Sequence, residues 1–217
     1  MQNPDVFLYE DCLAMLRDAG YNKGKEARRT AMEALSKEKL GETLYGIEDI
    51  YSLPDGKRAE LIDGRIYYMA PPNRKHQRIS VELSTIINNY IKSNNGSCEV
   101  DIAPFAVFLN GNDKTYVEPD ISVICDRNKL TEKGCNGAPD WVIEIVSPSS
   151  RQMDYYKKLF QYRTAGVREY WVIDPDKQVI TVYDFAHDTM AEYTFTDKVR
   201  VGIYEDFAID FSQINAE

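Results

Sequence analysis

The sequence predicts an α/β fold, a mixed central β-sheet flanked by helices, and three observations carry that expectation. Residues 141–173 read strand, helix, strand, a crossover unit that implies a parallel or mixed sheet. Residues 76–92 place Ile79, Leu83, Ile86, Ile87 and Tyr90 on one helical face. Short apolar runs at 98–109, 120–125, 141–146, 169–173 and 179–185 supply four or five strand candidates. With 217 residues, 43% of them hydrophobic and 28% charged, the chain is long and apolar enough to bury a core without disulfides or a structural metal.

Residues 1–40 read as an N-terminal helical extension, and 41–217 as the main domain. In the extension Phe7, Leu8, Cys12, Met15 and Leu16 recur at helical spacing, and Ala27, Ala31, Ala34 and Leu35 form a second stripe after the Ala19-Gly20 break. From residue 59, AELIDGRIYYMA sets an Asp63-Gly64 turn between two apolar runs, a hairpin signal. Asn94-Asn95-Gly96 ends the long helix that starts near His76. Residues 154–165 form the crossover helix, with Tyr155, Leu159 and Tyr162 along one side and Gly166 where a helix stop belongs. The tail at 193–211 reads as one or two short edge strands.

The net charge is −9, from 26 Lys and Arg against 35 Asp and Glu. That sign disfavours a protein that coats DNA or an anionic membrane, because phosphate neutralisation supplies most non-specific affinity. It leaves room for a local basic cleft, or for an acidic site where a divalent cation bridges carboxylate and phosphate. Cys12, Cys98, Cys125 and Cys135 make no CxxC pair, which argues against zinc. No apolar run approaches the roughly 20 residues of a membrane span. The opening MQNPDVFLYEDC has acids where a signal peptide needs bases. Free thiols without an export signal point to the cytoplasm.

Two acids stand where the fold exposes them to chemistry. Asp120 opens a strand, and Glu144 lies inside the next one, facing away from Ile143 and Ile145. A carboxylate in a covered strand needs a cation, a hydrogen-bond network or a proton. An arginine ion pair would serve, and so would a shared Mg²⁺, which favours hard carboxylate oxygens. Lys158 is either the i,i+4 partner of Asp154 or a cation projecting into the cleft beside Asp120 and Glu144. Lys157, about 100° around the helix, is expected to be solvated. Glu60 precedes the hairpin turn and His76 opens the long helix. No GxSxG elbow or cysteine-protease signature accompanies the two histidines, so covalent hydrolysis is disfavoured.

Glu60-Leu61-Ile62-Asp63-Gly64, His76, Glu118-Pro119-Asp120, Glu144 through Ser150, Asp154, Lys158-Leu159, Tyr162, Gly166 through Trp171 and Asp174-Pro175 occur in that order. The series resembles the Uma-type family of restriction endonucleases, a bacterial branch of the PD-(D/E)XK nuclease superfamily, over about residues 45 to 185. The resemblance implies a restriction-endonuclease-like core over 41–217. In it Asp120 matches the D of the PD motif and Glu144 the acid of (D/E)XK. Val146 stands where the superfamily has its lysine; Lys158 of the following helix is the matching residue. Glu60 and His76 match the additional acid and histidine.

The implied reaction is Mg²⁺- or Mn²⁺-dependent hydrolysis of DNA phosphodiesters. Asp120, Glu144 and the Ile145 carbonyl would hold the metal, and Glu60 would complete its shell or hold a second ion. Lys158 would position water or stabilise the phosphate, and His76 would contact phosphate or assist proton transfer. Arg74, Lys75, Arg78, Arg151 and Arg163 are candidates for phosphate contacts or simply solvated helix charges. A homodimer would let two sites act on both strands. The competing readings are a non-catalytic nuclease-fold module that binds nucleic acid or protein, and a paired-carboxylate hydrolase such as a glycosidase.

Overall fold

Mostly apolar strands, buried on both faces, build the centre of the sheet in the computed structural model, which describes residues 44–148 and 150–214. The helical extension expected over 1–40 lies outside the described residues. A short helix α1 (Ile47–Tyr51) leads into the hairpin β1 (Ala59–Ile62) and β2 (Arg65–Tyr68). Its turn is the expected one: Asp63 and Gly64 have φ of 51° and 76°, the left-handed pair that suits strand twist. Helix α2 (Arg74–Ser93) follows, with the Asn73 side chain accepting from the His76 N–H at its start.

The central sheet has six strands in the order β11-β10-β9-β8-β5-β3, namely Thr189–Thr194, Val179–Asp184, Glu169–Asp174, Trp141–Ile145, Ile121–Ile124 and Glu99–Ile102. Only β8 and β9 run parallel; every other neighbouring pair is antiparallel. The crossover between them passes through a π turn (Met153–Lys158) and α3 (Leu159–Ala165), which ends at Gly166 with φ 96°. The mixed sheet is therefore the one the strand-helix-strand pattern implies.

One face of the sheet carries Ile121, Val123, Trp141, Ile143, Ile145, Trp171 and Ile173, packed against Ile79, Leu83 and Ile87 of α2. The opposite face carries Val142, Tyr170 and Val172 against Tyr162 and Val167. Glu144 lies on this second face, because its strand neighbours Ile143 and Ile145 occupy the first.

Four features depart from the expected layout. The run at 98–109 splits at Pro104, which has no N–H to give a ladder. Beyond it β4 (Val107–Phe108) joins β7 (Gly134–Asn136) and β6 (Leu130–Thr131) in a small separate sheet. There Gly134 has φ 131°, and a Cβ would stand 2.2 Å from the Ala106 carbonyl oxygen, so only glycine fits. In the tail, β12 (Lys198–Arg200) and β13 (Ala208–Asp210) pair with each other rather than extending the central sheet. The fourth concerns the thiols. Cys98 and Cys125, at the ends of adjacent strands, form a disulfide, so among the described residues only Cys135 remains free. The inference from free thiols to the cytoplasm therefore loses its premise. No helix among the described residues is long and apolar enough to cross a membrane.

Two outcomes follow for stability. Leu83 is fully buried between α2 and the sheet, so Leu83→Ala should cost about 2–5 kcal/mol in urea unfolding. Asp101 sits opposite Ser122 in the β3–β5 ladder, and its Oδ2 is buried with no hydrogen-bond partner. Burial and the nearby Glu99 raise its pKa from 3.8 to about 6. Between those values the folded chain holds more protons than the unfolded one, so stability should fall as pH rises through this window. Urea midpoints across that range should lose this slope in Asp101→Asn.

Candidate active site

Asp120 and Glu144 meet because β5 and β8 are antiparallel neighbours with Ile121 opposite Ile143, so the start of one strand faces the end of the other. The Asp120 N–H donates to Glu144 Oε2 at 3.4 Å, and the Ile145 N–H donates to Asp120 Oδ2 at 2.7 Å. His76 Nε2 lies 3.0 Å from that same Oδ2. The N-cap at Asn73 fixes the first turn of α2 and thereby aims His76 at Asp120.

Glu60 enters from β1. Reciprocal backbone bonds between Leu61 and Tyr116, 2.8 and 2.7 Å, tie that strand to the segment leading into Asp120. Farther out, Gln161 donates to Asp63 and Lys157 to the Tyr67 hydroxyl, both at 2.8 Å, which hold the hairpin against the crossover helix. Lys157 itself is exposed, as its helical position predicts.

Lys158 closes the cluster. Its Nζ lies 2.8 Å from Glu60 Oε1, 2.9 Å from Glu144 Oε1 and 3.7 Å from Asp154 Oδ1. The sequence offered two alternatives for this lysine, partner of Asp154 or cleft cation. The structure has both contacts at once, because the π turn brings Asp154 and Lys158 inward together. Tyr162, one α-helical turn beyond Lys158, donates to Glu144 Oε1 at 2.6 Å.

Burial alone would lower the pKa of Lys158, but Glu144, Glu60 and Asp154 outweigh it and hold the amine charged. Burial raises Glu144 well above the usual carboxylate range; Lys158 opposes this, while Asp154, Asp120 and Glu60 reinforce it. For Asp154 the same balance, led by burial, gives a value of about 6. One ammonium thus serves three buried carboxylates, with Asp120 beside them.

These groups line a cleft of about 420 Å³, together with Arg58, Tyr67, Tyr68, Glu118 and Ile145. Of the residues singled out from the sequence, Glu60, His76, Asp120, Glu144 and Lys158 all border it. Arg74, Lys75, Arg78, Arg151 and Arg163 do not. Lys75, Arg78, Arg151 and Arg163 face Asp176, Glu82, Asp174 and Asp188 respectively, and Arg74 is exposed at the head of α2.

Sequence reasoning did not assign Arg58, Tyr116, Glu118 or Tyr162 to the site. Tyr162 carried a usable signal, since a residue four beyond Lys158 shares its helical face. Arg58 carried a weaker one, two residues before Glu60 in an extended segment. Among the described residues, no three His, Cys, Asp or Glu side chains converge as a ready-made metal cage.

A family model described as "Putative restriction endonuclease", Uma2, matches residues 47–212. An uncharacterized protein, slr1290, of Synechocystis sp. is 28% identical over 159 residues, covering 71% of this chain and 82% of that protein. Among solved structures, a "putative nuclease belonging to DUF820" from Anabaena variabilis ATCC 29413 aligns with a TM-score of 0.64 and 25% identity. The alignment covers 78% of this chain and 96% of that one.

The ion network predicts a specific non-additivity. Lys158→Ala leaves Glu60, Glu144 and Asp154 buried without their cation, and should cost about 3–5 kcal/mol. Adding Glu144→Gln removes one of the stranded charges, so the double variant should be more stable than Lys158→Ala alone. Urea unfolding of the four-member cycle measures the coupling.

Proposed function

Because the chain belongs to the Uma2 family of restriction-endonuclease-like proteins, we propose that it hydrolyses phosphodiester bonds in DNA with the help of a divalent cation. The observation that carries this reading is the meeting of Asp120, Glu144, Glu60 and Lys158 at the floor of one cleft. Such a concentration of buried charge is costly to maintain for packing alone.

The donor set fits Mg²⁺ or Mn²⁺. Its ligands are carboxylate oxygens, and one ammonium leaves the cluster short of positive charge. Asp120 and Glu144 would hold the ion, with Glu60 and the Ile145 carbonyl close by. When bound, it would supply Lewis-acid polarisation of the phosphate and an acidified water.

The chain's own groups do the rest. His76 and the Ile145 N–H fix the orientation of Asp120. Tyr162 and Lys158 share Glu144 Oε1, leaving Oε2 on the Asp120 side. Lys158 brings fixed positive charge to the place where negative charge grows on a phosphate under attack, without needing to reorganise. Its ammonium also orients Glu60, whose Oε1 accepts from the Glu118 N–H at 3.0 Å as well.

A non-catalytic nucleic-acid-binding module is the alternative, and the tight pairing of Lys158 with Glu60 and Glu144 is the observation in its favour. Cleavage of supercoiled plasmid and of single-stranded DNA in Mg²⁺, Mn²⁺ or EDTA separates the two. Cleavage should require metal and fall on the order of 10²-fold or more in Glu144→Gln and Asp120→Asn. Cleavage unchanged by these substitutions would reject the site. Absence of cleavage with retained DNA binding would favour the module, and chelator-insensitive hydrolysis of a glycoside would favour the glycosidase.

A further inference from the structure

A nucleic-acid strand entering this cleft meets a wall of acid. Glu60, Glu118, Asp120, Glu144 and Asp154 all line it, against Arg58, His76 and Lys158 as the groups able to carry positive charge. Lys158 is 5% exposed at its side chain and committed to carboxylates, and the Nε2 of His76 is engaged by Asp120. Arg58 differs. Its side chain is 37% exposed, and its guanidinium is spoken for along one edge only: Nε and one terminal nitrogen both donate to Glu118 Oε2. The second terminal nitrogen has no hydrogen-bond partner among the described residues.

We propose that Arg58 holds a phosphodiester of the substrate strand with this open edge; the identity of the ligand rests on the nuclease reading. The support beneath Arg58 is built in two directions. Glu118 Oε1 accepts from the Tyr116 hydroxyl at 2.6 Å, and the Glu118 N–H is anchored on Glu60. The guanidinium is therefore oriented before any ligand arrives, which lowers the ordering cost of binding. Two residues after Glu118 comes Asp120, so the segment that braces Arg58 also carries an acid of the reactive cluster. A phosphate gripped by Arg58 is thus registered against Asp120 and Glu144. The planar fork of arginine suits a phosphate diester, and lysine would not reproduce it. Glu118 offsets part of the charge, so the contact fixes register as much as it adds affinity.

Fluorescence anisotropy of labelled single-stranded and duplex oligonucleotides, titrated at several KCl concentrations in EDTA, reads this contact without requiring cleavage. Arg58→Ala should weaken binding roughly tenfold, the scale of one charged hydrogen bond. The salt slope of log K should shrink by about 0.7 for single strands or about 0.9 for duplex, as one lost phosphate contact predicts. Arg163→Ala, outside the cleft, should leave the slope unchanged.

An unchanged slope in folded Arg58→Ala would overturn the proposal and leave Arg58 as a structural ion pair. So would a wild type without salt-sensitive binding. Loss of slope in a protein that never cleaves would uphold Arg58 as a phosphate contact while rejecting the nuclease reading. Cleavage with an unaltered slope would do the reverse.

Discussion

One buried ammonium among three carboxylates is the constraint around which the described chain is arranged. Glu60 comes from the first hairpin, Glu144 from the middle of the sheet, and Asp154 from the turn that also carries Lys158. Each ion alone would cost several kcal/mol to remove from water, so each segment is tolerable only where the others arrive. The surrounding bonds follow from that requirement. The Leu61–Tyr116 ladder seats the hairpin, Gln161 clips its turn to α3, and Tyr162 joins the lysine on Glu144 Oε1.

The cost of this cluster is met on the other side of the same strands. Ile143 and Ile145 bracket Glu144 in β8, yet they pack with Ile79, Leu83 and Ile87 of α2. Fully burying an aliphatic side chain contributes roughly 1.5–3 kcal/mol. A handful of such residues on one face is therefore enough to offset a strained electrostatic arrangement on the other. Period-two alternation lets a single five-residue strand carry both tasks.

That same regularity decided what the sequence could disclose. Glu144 was readable as a buried acid because its neighbours are apolar and strands alternate. The hairpin was readable from Asp63-Gly64, and α2 from the spacing of its isoleucines. Distant pairings left no local trace. Arg58 and Glu118 are sixty residues apart in sequence, and neither periodicity nor composition joins them. The bond between Cys98 and Cys125 depends on strand register, which the sequence did not specify. The π turn was missed for another reason: an ordinary α-helical reading already pairs Asp154 with Lys158, so nothing signalled the extra residue per turn. Of the five cations considered for phosphate contact, Lys75, Arg78, Arg151 and Arg163 each face a carboxylate outside the cleft, pairings that composition alone does not reveal.

Val146 closes the account. It is buried in the second core beside Val142, Tyr162 and Val172, and its N–H continues the ladder to Ile173. A cation at that position would have to share space with this packing. With the ammonium delivered by the crossover helix instead, sheet cohesion and site charge belong to separate stretches of chain. The two stay in touch through Tyr162, which shares the core of Val146 and donates to Glu144: position 146 is left to packing, and the charge is set one helical turn before that ring. Such a division widens the set of sequences compatible with both requirements, and gives divergence two separate handles.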